Sequence, residues 1–191
     1  MAKVERNSYG KEIIVHDNPV SRFLFSSSRS AWIWLIVRVY VGYEWLSAGW
    51  GKLGESAWTG DKAGAALTGF VKGAIAKSDP AAEHADVTGW YANFLEHTVL
   101  PHAKVFSYIV VWGEILVGIG LILGLLTGIA AFFGGIMNVS YLFAGTLSTN
   151  PLLFVLATWL VLAWKVAGWY GLDRWALPLL GTPWERRRRS S

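Results

Sequence analysis

Four apolar runs, at residues 31–50, 105–126, 129–147 and 152–170, leave this chain few ways to fold. A helix that crosses a bilayer needs about 20 mostly apolar residues, and each run is near that length. Charge is scarce to match: 16% of the 191 residues are charged and 53% are hydrophobic. Soluble domains carry nearer ~25% charged residues. The shortfall is local, because the charges gather in the two tails and in one long connection. The pattern predicts an all-α membrane protein of one integral domain, 1–191. Its form is a four-helix transmembrane bundle with a long outer loop carrying short interfacial helices.

Composition also excludes chemistry. The chain has no cysteine, which removes thiol catalysis, disulfides, Cys-ligated iron–sulfur centres and persulfide carriers. No metal site is expected. His97 and His102 are five apart with Pro101 between, not the i, i+4 spacing of a helical metal pair. With His84 they read as exposed or aromatic-packed loop histidines, with substrate contact or metal as the lesser alternative. The net charge is +4, and the basic residues flank apolar segments, so anionic lipid is the expected partner and not nucleic acid.

Orientation follows the distribution of Lys and Arg. The tail 1–30 carries Lys3, Arg6, Lys11, Arg22 and Arg29; the tail 171–191 carries Arg174 and Arg186, Arg187, Arg188 and Arg189. The connection 51–104 holds lysines balanced by acids and no arginine. Both termini are therefore expected in the cytoplasm, in a multi-pass protein of the cell inner (plasma) membrane. The four terminal arginines are expected on anionic headgroups. No cleavable leader is expected; the first span serves as the insertion signal. The twelve Trp read mostly as interface belts.

Shorter elements can be read around the runs. Asn18 and Pro19 predict a capped interfacial helix through Phe25. Apolar residues at 63, 66/67, 70/71 and 74/75 predict a loop helix capped by Asp61. A second loop helix is expected over 88–97, followed by Pro101. Asn150-Pro151 opens the last run, and the stretch 124–128 is a tight turn. Gly113, Gly120 and Gly124 form one packing stripe; Gly135, Asn138 and Gly145 form another.

The functional signal lies in polar residues inside the runs. Ionisable residues at membrane depth mark functional sites by default. At a rise of ~1.5 Å per residue, Glu44 and Glu114 fall about 20 Å and 16 Å from the inner end of their spans. Arg38 and Lys165 fall near 10 Å, and Asn138 near 14 Å, on the same count of about 1.5 Å per residue. Arg38 shares a stripe with Gly42, Trp45, Gly49 and Lys52, and can pair with Glu114 across helices. Lys165 reads as a snorkelling lysine. A quinone needs an apolar slot, hydrogen bonds at its carbonyls and proton relays. Glu44 and Glu114 suit the relay, Arg38 sets their charge, and Tyr40, Tyr43, Trp45, Trp50, Trp112 and Asn138 suit the slot. The same polar residues read alternatively as interhelical pairs that fix the bundle.

The order Arg38…Gly42…Gly49-Trp50-Gly51-Lys52-Leu53, then Gly113-Glu114…Gly118…Gly120…Leu123-Gly124-Leu125…Thr127, resembles the DoxX/DoxD-like family of small four-helix membrane proteins. Trp90…Phe94…Leu100-Pro101 fits the same pattern. The resemblance covers about residues 30–170. It implies a membrane subunit of a redox complex, similar to that of thiosulfate:quinone oxidoreductase, with quinone as substrate and other membrane subunits as partners. Lys52 and Lys104 at the outer mouth are the residues for an anion. The alternative expectation is a non-catalytic accessory or anchoring subunit of a larger respiratory or photosynthetic complex.

Overall fold

The computed structural model describes residues 17–79 and 85–182, and these are helical throughout their regular structure. Helix α1, Pro19–Ser26, starts as its sequence dictates: the Asn18 side chain accepts from the Ser21 amide at 2.8 Å, and Pro19 opens the first turn. Four long helices follow: α2 Ala31–Leu53, α6 Ala103–Leu123, α7 Thr127–Phe143 and α8 Asn150–Leu162. Between α2 and α6 lie α3 Ser56–Thr59, α4 Ala65–Ala76 and α5 Gly89–Phe94. After α8 come α9 Trp164–Ala167 and α10 Asp173–Leu179.

The loop helices differ from expectation in how they start and stop. Helix α4 begins four residues later than Asp61. Gly64, at φ +94°, takes the cap position because the backbone of Lys104 lies against it. A Cβ there would sit 2.7 Å from the Lys104 amide nitrogen. Helix α5 does not end before Pro101. It passes through a π turn, Leu95–Val99, and a 3₁₀ turn, Leu100–His102, into α6, so Gly89–Leu123 forms one continuous helical stretch. Pro101 is tolerated because it falls in the first turn of that 3₁₀ segment. Among the described residues this stretch is the one helix long and apolar enough by composition to cross a membrane.

The last apolar run is also split. Helix α8 stops at Ala163, where the chain bends into α9 and packs Trp164 against Gly128. Lys165 is thereby exposed on a short helix, its ammonium 5.7 Å from the Trp164 ring.

Helices α2 and α6 make the closest pairing in the bundle. The glycines responsible are Gly42, Gly49 and Gly118, rather than the expected stripe of Gly113, Gly120 and Gly124. A Cβ at Gly118 would meet the Leu46 backbone nitrogen at 2.6 Å, so only a bare backbone lets the helices touch. The bundle core gathers Trp34, Val41, Trp45, Leu121, Leu153 and Leu160. A second core, built from Leu67, Val71, Tyr91, Leu95 and Ala144, holds α4 and α5 over one end of the bundle. We call this the loop end. The opposite end, with the α6–α7 turn and α1, α9 and α10, is the turn end. The long helices direct large apolar chains outward, among them Ile36, Ile109, Leu116, Phe133, Val155 and Trp159.

Candidate functional site

Glu114 lies in the middle of α6 with 1% of its surface exposed. Its place against α2 is set by Gly49, where a Cβ would stand 2.9 Å from the Glu114 Cβ. Lys52, in the last turn of α2, reaches over the carboxylate and donates to Oε1 at 2.5 Å and Oε2 at 2.6 Å. Tyr141 of α7 donates its hydroxyl to Oε1 at 2.8 Å. Three helices thus meet on one carboxylate, and its charge is matched by a single ammonium.

These groups face a cavity of about 310 Å³ at the loop end. Its aromatic wall is built from four rings. Trp45 stacks on Tyr141, with centroids 6.4 Å apart and planes at 24°. Phe70 meets Tyr141 edge-on at 5.9 Å. Trp58 lies 5.3 Å beneath the Lys52 ammonium, within cation–π range. Glu44 and Ala48 form the α2 rim, and Thr146, Ser148, Thr149 and Asn150 close the far side. A larger hollow of about 550 Å³, lined by residues such as Trp90, Phe94, Phe132 and Phe154, carries no charged side chain. Of the two, the smaller cavity is the one that brings charged side chains together.

Arg38 is placed elsewhere. It is buried at the turn end and donates to the carbonyls of Leu121 at 2.6 Å, Ile122 at 2.7 Å and Tyr170 at 2.9 Å. Leu121 lies seven residues past Glu114, about 10 Å along the helix axis. The expected pairing of Arg38 with Glu114 does not form, because the two lie in different layers. Arg38 instead donates to carbonyls in the last turn of α6 and to that of Tyr170. Beside it, Asp173 accepts from the amides of Leu126 at 2.6 Å and Thr127 at 2.9 Å, and so caps α7.

The expected slot residues divide. Trp45 lines the cavity. Asn138 is fully buried one turn from Tyr141 on α7, and among the described residues neither of its amide atoms has a hydrogen-bond partner, nor has the Trp45 indole N–H. Tyr40, Tyr43, Trp50 and Trp112 point outward, with Trp50 68% exposed, and line neither of these two cavities. Lys52 is consumed by Glu114 and does not stand ready for an anion, while Lys104 is exposed. His97 and His102 pair with the carbonyls of Asn93 and Thr98 on their own helical turns. His84 and Arg186 to Arg189 lie outside the described residues.

Sequence reasoning did not reach Tyr141, Trp58, Phe70 or Asp173. Tyr141 carried a usable signal: it follows Asn138 by three residues and so shares its helical face. The sequence reading places Lys52 on the inward stripe with Trp45 and Gly49, but gives it to an anion and not to Glu114. Asp173 carried none, since its partners are backbone amides 46 and 47 residues away.

Comparison with curated proteins and with solved structures returned no match. A family model described as DoxX matches residues 33–147. The matched stretch is more than half of the chain and contains Lys52, Glu114 and Tyr141. This chain belongs to the DoxX family.

Proposed function

We propose that the chain is the quinone-interacting membrane subunit of a redox complex, with the Glu114 cavity as its quinone site. Family membership gives it a membrane environment. In this reading α2, α6, α7 and α8 are the four spans of a multi-pass plasma-membrane protein with both termini cytoplasmic and the loop end outside. The apolar chains that the long helices turn outward support this, because lipid is the solvent that tolerates them.

The observation that carries the reading is Glu114 itself: a buried carboxylate that holds a lysine and a tyrosine hydroxyl, and also faces an aromatic-walled cavity. Reduction of a quinone takes up two electrons and two protons. Glu114 and Tyr141 supply the proton-exchanging groups at one carbonyl, and the aromatic wall suits the ring. Electrons come from a partner subunit. The test is extraction of the purified protein for bound quinone, followed by quinone reduction in the purified complex carrying Glu114→Gln. Near-stoichiometric quinone and a turnover loss of tenfold or more are expected. Absence of quinone, or unchanged turnover, would sink the reading.

One observation favours a second reading. Lys52 and Glu114 close on each other, which is also how an interhelical lock is built. A non-catalytic accessory subunit would keep that lock and co-purify stoichiometrically with a larger complex, without quinone.

A further inference from the structure

The charges around the cavity do not balance. Two carboxylates, Glu44 and Glu114, face one ammonium, that of Lys52. Lys52 is fully committed, with two bonds to Glu114 and its ammonium over the Trp58 ring. Among the described residues no cation pairs with the Glu44 side chain. Glu44 is half-buried on the cavity's α2 rim, eight residues and about 12 Å of helix from Lys52. A carboxylate at such a depth draws a positive partner. The cavity already displays the partner it accepts: an ammonium held between a carboxylate and an aromatic face. Glu44 lines the same cavity as the rings of Trp45, Phe70 and Tyr141, so a carboxylate and aromatic groups border this space as well. Aromatic faces combined with carboxylate recognise organic ammonium groups.

We propose that this cavity binds an ammonium-bearing ligand, with Glu44 as its counter-ion, and that it rejects anions. The ligand chemistry is that of ethanolamine or choline. Its source is either the free amine or the amine headgroup of a phospholipid. The hydroxyl and amide groups of the α7–α8 connection serve the remainder of such a headgroup. Lys52 gives an anion no purchase, because its charge is cancelled and the cavity's remaining charge is negative. This inference rests on Glu44 and not on the quinone reading; the two ligands would enter the same cavity and compete for it.

The experiment uses the full chain in a neutral detergent. Calorimetric titration with ethanolamine and with choline is compared with titration by thiosulfate. Native mass spectrometry measures retention of phosphatidylethanolamine against phosphatidylglycerol. Saturable amine binding, weakened tenfold or more in Glu44→Gln and partly restored in Glu44→Asp, supports the proposal with the free amine as source. Selective retention of phosphatidylethanolamine, lost in Glu44→Gln, supports it with lipid as source. Binding of neither amine nor phosphatidylethanolamine overturns it, as does equal binding by Glu44→Gln or tighter binding of thiosulfate. Lys52→Ala gives a second check: ethylammonium should raise its melting temperature where sodium at equal ionic strength does not. Equal shifts would argue against an ammonium site. If that variant does not fold, the Glu44 titrations decide alone. Bound quinone is measured separately, so failure here and failure of the quinone reading remain distinct.

Discussion

The two ends of the bundle each hold a cation on α2, Arg38 buried and Lys52 half-buried, and they use it differently. At the turn end, Arg38 is spent on three backbone carbonyls, and Asp173 beside it is spent on two backbone amides. Their partners are backbone groups at the end of α6, at the start of α7 and at Tyr170 after α9, groups that chain and helix ends must satisfy. At the loop end, Lys52 is spent on the side chain of Glu114, which also holds Tyr141 and faces a cavity. Backbone partners cannot change protonation, whereas side-chain partners can. Under the proposed function, that difference gives Arg38 an architectural part and Glu114 the chemical one, although both are charges at depth.

The largest effect expected from this contrast is at the turn end. Arg38→Met removes a donor from three carbonyls, of which Leu121 keeps the Gly124 amide, and leaves Asp173 without its neighbouring cation. Removing one member of a buried charged network costs about 3–5 kcal/mol. The measurement is thermal or denaturant unfolding in detergent, followed by circular dichroism. If the loop-end cavity holds quinone as proposed, the folded fraction should retain it at the wild-type level. If Arg38→Met left stability untouched but emptied the loop-end cavity, the division between the two ends would fail.

The same contrast explains what could be read from the chain. Helix α1 was legible because Asn18 and Pro19 act locally. The inward stripe of α2 was legible as well: Arg38, Gly42, Trp45 and Gly49 are all buried. The family was legible from residues in the stretch that the family model matches. The partner of Glu114 was not, because depth counted along ideal helices locates layers, and a four-carbon lysine stem crosses between them. Glu44 and Glu114 looked equivalent in depth, yet Glu114 is buried and Glu44 half-exposed. Their azimuths differ, and only packing reveals that. Tyr40, Tyr43, Trp50 and Trp112 misled for the related reason that aromatic residues in apolar helices face lipid as readily as a pocket. The break after α8 was invisible, since Leu, Val, Ala and Trp continue through it without a Gly or Pro.

A middle-sized effect tests whether helix approach holds the loop-end site together. Gly49→Ala places a Cβ 2.9 Å from that of Glu114 and 3.0 Å from the Ile115 nitrogen. Overpacking of this kind costs about 1–3 kcal/mol. Because the strain falls on Glu114, the variant should loosen the Lys52 pair and lower quinone content while the fold persists. Gly118→Ala, seated against Leu46 instead, should cost comparable stability with a smaller effect on quinone. Equal losses of quinone in both variants would mean that general packing, and not the position of Glu114, governs the site.

The smallest expected change in stability comes from Tyr141→Phe, and it is the sharpest test of the division. The ring stays, so its stacking on Trp45 and its edge contact with Phe70 persist. Only the hydroxyl bond to Glu114 is lost, and Lys52 still satisfies both carboxylate oxygens. A net hydrogen bond is worth about 1 kcal/mol, so melting should move little. If Tyr141 serves chemistry, quinone turnover in the complex should fall severalfold while bound quinone stays near wild type, because the ring wall is intact and the proton-exchanging hydroxyl is gone. Unchanged turnover would place Tyr141 with Arg38, as a residue that holds the bundle, and would leave Glu114 alone at the cavity's reactive face.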